Sequence, residues 1–374
     1  MTSMRREFLR RCAFFALPAV LLGHPAWGMA AATSTAVAPT RARGRSRINV
    51  RDKGARGDGQ HDDTAAFQAA IDALPDAGGT VQVPAGTYLI DALKYVNLRS
   101  RMHLQLSPDA KLVAIPNDFK RSYVLYAFKV SDVEISGGQI VGERAKHQGT
   151  EGEWGHGIQL RGASKVTVRN IRISDCWGDG ICIGGADERQ ATPSDDIFIA
   201  NVVCTGNRRQ GLSIGRSRNV RVYDSEFSNT AGTNPQFGID IEPDRPGGTS
   251  GIHIENCVVR NNRGGGIQIY RRVDDVTIKR CTIEGNRGPG ILAVTARDGM
   301  ITGNRITGNG LSGVALRQET SDFEVNGNRF RNNGLRRRDT AKAPSGTQSE
   351  GDWAIHISDD SASIKLKSNI HEAR

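Results

Sequence analysis

A right-handed parallel β-helix, an all-β solenoid, is the fold this sequence predicts, and three observations predict it. A glycine followed by aliphatic, variable and aliphatic positions recurs seven times, at Gly157, Gly180, Gly211, Gly238, Gly266, Gly290 and Gly313, at intervals of 23 to 31 residues. Between these tetrapeptides lies a second unit of short alternating segments, such as "VTVRNIRISDC" from Val166 and "IHIENCVVRNN" from Ile252. Aligning the second units gives a core column of Ile173, Cys204, Phe227, Val259, Ile283, Ile306 and Phe330. It also gives a corner column of Cys176, Asn207, Thr230, Asn262, Asn286, Asn309 and Asn333. One such turn of chain cannot bury its own apolar face, whereas stacked turns pairing in parallel at ~4.8 Å can. Repeated Asn at one corner suits a side-chain ladder up the coil. Neither the longer blades of a propeller nor a leucine-rich pattern occurs.

In chain order, residues 1–32 form an export signal of the twin-arginine type: Arg5-Arg6 precedes an apolar run from about Ala13 to Gly23, too short to span a bilayer, followed by small residues. The expected location is therefore periplasmic or secreted, by the twin-arginine route, with no stable membrane anchor. Residues 33–47 read as a linker, and 48–374 as a single β-helix domain. Within it, 48–90 is an N-terminal cap with a helix from about Thr64 to Leu74, capped by Asp62 or Asp63, that covers the first rung. The clearest rungs run over 155–333, a polar loop over 334–352, and a last rung over 353–374.

The 374 residues carry a formal charge of +10, about +7 once the signal with its four arginines and one glutamate is removed. This excess suits an acidic glycan. Nucleic acid is excluded because the basic residues are scattered and only 6% of residues are aromatic. Beyond the signal, Cys176, Cys182, Cys204, Cys257 and Cys281 are odd in number and lack CxxC spacing, so no disulfide framework or zinc site is indicated. A monomer is expected.

The candidate site follows from alternation. If Ile239 and Ile241 point inward, Asp240 and Glu242 face outward on one strand, roughly 6.6 Å apart. The outward column two residues after each glycine reads Gln159, Cys182, Ser213, Asp240, Gln268, Leu292 and Ala315; around four residues on lie Arg161, Gly184, Gly215, Glu242 and Tyr270. The position before each glycine gives His156, Asp179, Gln210, Phe237 and Gly265. Longer intervals after Gly180, Gly211 and Gly238 place loops beside these columns, making a cleft for sugar rings.

Two chemistries can be built there. Crowded acids whose pKa values are pushed apart supply the acid and base of glycoside hydrolysis, with Asp179, Asp240, Glu242 and His156 as catalytic candidates and no cofactor required. β-Elimination from a uronic acid, or C5 epimerisation, would use Arg209, Tyr270, Arg271, Arg272 or His156, with Asp240, Glu242 and Asp244 holding Ca²⁺. Arg209, Gln210, Gln268, Tyr270, Arg271 and Phe237 are the candidates for binding substrate. A non-catalytic glycan-binding β-helix is the remaining alternative.

The segment "GDGQHDDTAAFQAAIDALPDAGGTVQVPAGTY" resembles the opening of the pectate-lyase-like superfamily, in its rhamnogalacturonase and epimerase-like branch. That resemblance implies a right-handed β-helix acting on polysaccharide, as a hydrolase, lyase or epimerase, or binding it. "WGDGICI" is similar to the Asn-Thr-Asp-Gly-Ile-Asp-Ile segment of polygalacturonases, which would make Asp179 a catalytic carboxylate. The further aspartate of that family is replaced by Gln210 and its Gly-His-Gly histidine by Phe237, so the mechanism does not transfer whole. "FGIDIE" resembles the Asp-Pro-His-Glu segment of mannuronan epimerases but lacks the Pro-His pair.

Overall fold

The computed structural model describes residues 36–186, 192–243, 247–336 and 353–372. The expected export signal, Asp244 and most of the 334–352 loop lie outside them.

The polypeptide winds as stacked rungs whose strands pair in parallel with those one turn above and below. Ten of these strands form one sheet: β1 (Val96–Asn97), β2 (Arg121–Phe128), β3 (Trp154–Arg161), β4 (Ile181–Gly184), β5 (Leu212–Ile214), β6 (Ile239–Ile241), β7 (Ile267–Tyr270), β8 (Ile291–Val294), β9 (Val314–Arg317) and β10 (Ile355–Ile357). Among the described residues the other 22 strands form a second, continuous sheet that closes the coil. This is the predicted architecture.

Registers match the sequence columns residue for residue. Ile158, Ile181, Leu212, Ile239, Ile267, Ile291, Val314 and Ile355 stack inward, all at most 2% exposed. Opposite them runs the predicted core column from Ile173 to Phe330, every member fully buried. The recurring glycine has a steric cause. A Cβ on Gly211 would sit 2.6 Å from the Gly238 carbonyl oxygen, and one on Gly266 would sit 2.4 Å from that of Gly290. No side chain fits where successive turns approach so closely.

The corner asparagines form the expected ladder. Each Asn Oδ1 accepts from the backbone N–H and the side-chain Nδ2 of the residue one rung below, from Asn262 through Asn286 and Asn309 to Asn333. A second, unforeseen ladder runs through Asn304, Asn328 and Asn369. Thr230 interrupts the first one. It cannot offer the amide oxygen that Asn207 needs, and the buried Asn207 Nδ2 has no hydrogen-bond partner among the described residues. Thr230→Asn is therefore expected to stabilise the protein by about 1 kcal/mol, read as a rise in the urea midpoint.

Helix α1 (Thr64–Asp72) caps the coil as predicted, burying Phe67, Ala70 and Ile71, with Phe67 edge-on to Tyr88 at 5.3 Å. Its first turn is held by Asp62, whose Oδ1 accepts from the Thr64 N–H; Asp63 instead turns back to the amides of Arg56 and Gly57. The described part of the 33–47 segment is not a free linker. Arg41 is 4% exposed and bonds Thr167, the Val166 carbonyl and Asp196, while Arg43 pairs with Glu134, strapping the segment across three rungs. Among the described residues no helix is long and apolar enough to cross a membrane. Among the described residues, four of the five cysteines are buried and none is in a disulfide.

Candidate functional site

The outward faces of β2 to β6 line a pocket that gathers three acids, Asp179, Asp240 and Glu242, with four arginines, Arg121, Arg161, Arg209 and Arg216, beside Tyr123, Trp154 and His156. Period-two alternation positions these groups. Gln159, Cys182, Ser213, Asp240 and Gln268 pair across consecutive strands as the sequence columns require.

Asp179 ends the turn before β4 and is fully buried. Its Oδ2 accepts from Ser213 Oγ at 2.8 Å, and the Arg209 guanidinium lies 3.4 Å away. Arg209 also donates to Glu153 at 3.0 Å. Burial opposes its charge, but Asp179 and Asp240 more than offset that, and its pKa is raised. With its oxygens held in this way, Asp179 is an internal counter-ion that fixes Arg209 and Ser213 in the pocket wall.

Asp240 is in a different electrostatic position. It is 2% exposed, and burial first, then the neighbouring Glu242, push its pKa up to about 8; Arg209 and Gln268 work in the opposite direction. Gln210 Nε2 donates to its Oδ2 at 2.6 Å, while the Gln210 Oε1 accepts from the Phe237 N–H, so Gln210 is a bracket between two rungs. The buried Oδ1 of Asp240 has no hydrogen-bond partner among the described residues. At neutral pH this is a protonated carboxyl group aimed into the pocket. Glu242, two residues on, is only half-buried and lines the same pocket. β6 and the residue that follows it thus offer a neutral acid and a more accessible carboxylate, the arrangement general acid–base chemistry needs.

His156 is 3% exposed, and burial lowers its pKa to about 4. Its Nδ1 accepts from the Asp179 N–H at 3.0 Å, which puts the imidazole proton on Nε2. His156 is therefore a neutral hydrogen-bond donor toward the pocket. Burial also raises Tyr123 to about 12. Neither group is a base at neutral pH.

The His156 imidazole, the Asp179 carboxylate and the Cys182 thiol lie within 4.8 Å of one another, a spacing compatible with a metal ion. The donors are already engaged, however: Nδ1 by a backbone amide and Asp179 by Arg209 and Ser213.

Of the residues expected to bind substrate, Arg209 lines the pocket, while Gln210 and Gln268 support Asp240 from beside it. Phe237 is 6% exposed, its ring filling the space over Gly265. Tyr270 and Arg271 lie against each other, ring centroid to guanidinium 4.8 Å, outside the pocket lining; Arg272 holds the Pro243 carbonyl. Arg121, Tyr123 and Trp154 were not foreseen. No glycine motif marks β2, and its alternation breaks between Tyr123 and Leu125, yet a constant offset of 33 residues links Arg121, Tyr123 and Tyr126 to Trp154, His156 and Gln159.

Residues 156–242 and 190–372 match the family described as right handed beta helix region. The chain belongs to the right-handed β-helix family. Within this β-helix protein, residues 47–127 further match the description "Rhamnogalacturonase A/epimerase, pectate lyase-like", over the segment whose sequence pointed there. The uncharacterized protein YclG of Bacillus subtilis is 31% identical over 239 residues, 58% of this chain and 41% of YclG. An exo-poly-alpha-D-galacturonosidase of Dickeya chrysanthemi is 33% identical over 152 residues, 40% of this chain and 21% of that enzyme. The β-helix protein thus spans less than half the length of either relative. The A-module of the Azotobacter vinelandii mannuronan C-5 epimerase AlgE4 superposes with a TM-score of 0.66 at 19% identity, covering 88% of this chain and 98% of the module. At that identity the likeness concerns the fold.

Proposed function

We propose that this protein cleaves glycosidic bonds in a carboxylated polysaccharide by hydrolysis, with Asp240 as the proton donor and Glu242 as the second carboxylate. The observation that carries this reading is the pairing of an acid on β6, held protonated to about pH 8, with a more accessible acid two residues on, just past the strand end. Asp240 gives its proton to the glycosidic oxygen as the bond breaks; Glu242 supports the electron-poor sugar carbon, as nucleophile or by activating water. Asp179 acts behind them, holding Arg209 toward the substrate. With Asp240 neutral, the four arginines outnumber the two remaining carboxylates, which favours an anionic sugar.

Elimination and epimerisation both begin with removal of the C5 proton. The groups suited to that, His156 and Tyr123, are a neutral donor and a phenol with a raised pKa. A bound Ca²⁺ would need Asp240 ionised, against the same burial that keeps it neutral. Incubation with polygalacturonate and polymannuronate, reading reducing ends and ultraviolet absorbance together, is expected to give reducing ends without the absorbance of an unsaturated product. A chelator is expected to leave the rate unchanged. Absorbance rising in step with reducing ends, or loss of activity with the chelator, would point to Ca²⁺-assisted elimination instead. Inverted C5 centres with no new ends would point to epimerisation.

A further inference from the structure

We infer that the glycan lies along the coil axis from the acids toward the N-terminal rungs, where Arg121 and Arg161 read the carboxylates of successive sugar units. The inference rests on the polysaccharide-cleaving reading of the pocket and names the part of the molecule that selects the substrate.

The pocket is lopsided. Asp240 and Glu242, on β6 and just after its end, stand at one end, with Asp179 nearer the middle before β4, while β2 and β3 contribute Arg121, Tyr123, Trp154, His156 and Arg161 at the other end. Among the described residues, no side chain of β7 or beyond lines it, and the outward column there turns apolar at Leu292 and Ala315. From β6 back to β2 there are four rung steps of ~4.8 Å, or roughly 19 Å. One rung step is close to the length of a pyranose unit, so this half of the cleft matches about four sugar rings.

The four arginines are not equivalent. Arg209 is committed to Asp179 and Glu153, and Arg216 donates to the Ala186 carbonyl. Arg161 is anchored through Nε to the Gly185 carbonyl at 3.2 Å, and Arg121 rests 5.2 Å over the Trp154 ring. Among the described residues neither has a carboxylate within ion-pair distance, so both cations are held in place with their charge unanswered. Beside them, Tyr123, Tyr126 and Phe128 form a continuous aromatic band across β2, with centroids 5.3 and 5.9 Å apart. An apolar band flanked by fixed guanidinium groups suits a ring that carries both C–H surface and a carboxylate.

Calorimetric titration of the Asp240→Asn protein with oligogalacturonates and oligomannuronates of two to six units tests this without turnover. Affinity for one of the two series is expected to climb with each unit to about four and then level off. Arg121→Ala and Arg161→Ala, each made in that background, are expected to weaken it at least tenfold, with no comparable change for neutral oligosaccharides of the same length. In the otherwise wild-type enzyme the same substitutions are expected to raise KM far more than they lower kcat. Tyr270→Ala and Arg271→Ala, on the other side of the acids, serve as controls and are expected to change affinity less than twofold. A plateau at two units, controls as damaging as the arginine changes, or no binding of any uronide would overturn the inference. A protein that binds uronides through Arg121 and Arg161 but never cleaves them would overturn the hydrolytic reading and leave this one standing.

Discussion

Asp240→Asn will lose glycan cleavage by about 10² to 10⁴-fold, the usual worth of a positioned proton donor, and will gain stability relative to the wild type as the pH rises. The second effect follows from linkage. The Asp240 carboxyl titrates near 3.8 in the unfolded chain and at about 8 in the fold. Between these values the folded protein holds a proton that the unfolded chain has released, so its stability is greatest below pH 4 and falls as pH rises toward 8. At ~1.4 kcal/mol per unit, the loss over that window is several kcal/mol. Asparagine cannot ionise, so the variant escapes the loss while its amide oxygen still accepts from Gln210. Thermal unfolding of both proteins from pH 5 to 9 is expected to show the variant's advantage widening up to about pH 8 and constant above it. A constant difference across the range would mean that Asp240 is ionised in the folded protein and is not the proton donor. The wild-type rate should fall through the same pH region, as the acid loses its proton.

What the sequence disclosed and what it hid have a common physical origin. Every rung must repeat its neighbour's inward residues and corner geometry, so Ile239, Ile241, Gly238 and Asn262 each recur at a fixed place and fix the register; Asp240 and Glu242 then face outward by alternation alone. Side-chain direction was therefore legible from Gln159 to Gln268. Depth was not. Whether an outward residue reaches solvent depends on loops and neighbours with no period, and so Asp179 proved sealed behind Arg209 and Ser213, and Phe237 folded over Gly265 rather than into the cleft. The β2 rung escaped notice because its strand has no turn glycine and an irregular alternation, although it supplies Arg121 and Tyr123. A residue's face is a local property; its partner on the far side of a pocket is not.

The largest structural effect should come from the asparagine ladder rather than from any ion pair. Asn309 is fully buried. Its Oδ1 accepts from the Asn286 N–H and Nδ2, and its own Nδ2 donates to the Ile283 carbonyl and to Asn333 Oδ1. Asn309→Ala removes all four bonds at once and takes the side-chain partner from the Asn286 N–H and the Ile283 carbonyl where water does not reach, while Asn286 Nδ2 keeps the Val259 carbonyl and Asn333 Oδ1 keeps the Asn309 N–H. With a buried unsatisfied group costing about 1 to 3 kcal/mol, partly relieved by relaxation around the void, the expected loss is about 4 kcal/mol. It should appear as a lower urea midpoint by circular dichroism. Asn309→Leu separates the two contributions: it restores the volume but not the bonds, so it should remain nearly as unstable as the alanine variant. Recovery to wild-type stability in the leucine protein would mean that the ladder acts by filling space. The contrasting case is Arg297→Ala, which breaks an exposed ion pair with Asp274 at 3.0 Å. Both of its partners stay hydrated when separated, so the expected change is under ~1 kcal/mol. The difference arises because a rung corner can exchange its hydrogen bonds only with the rungs next to it, and the inside of the coil offers no substitute.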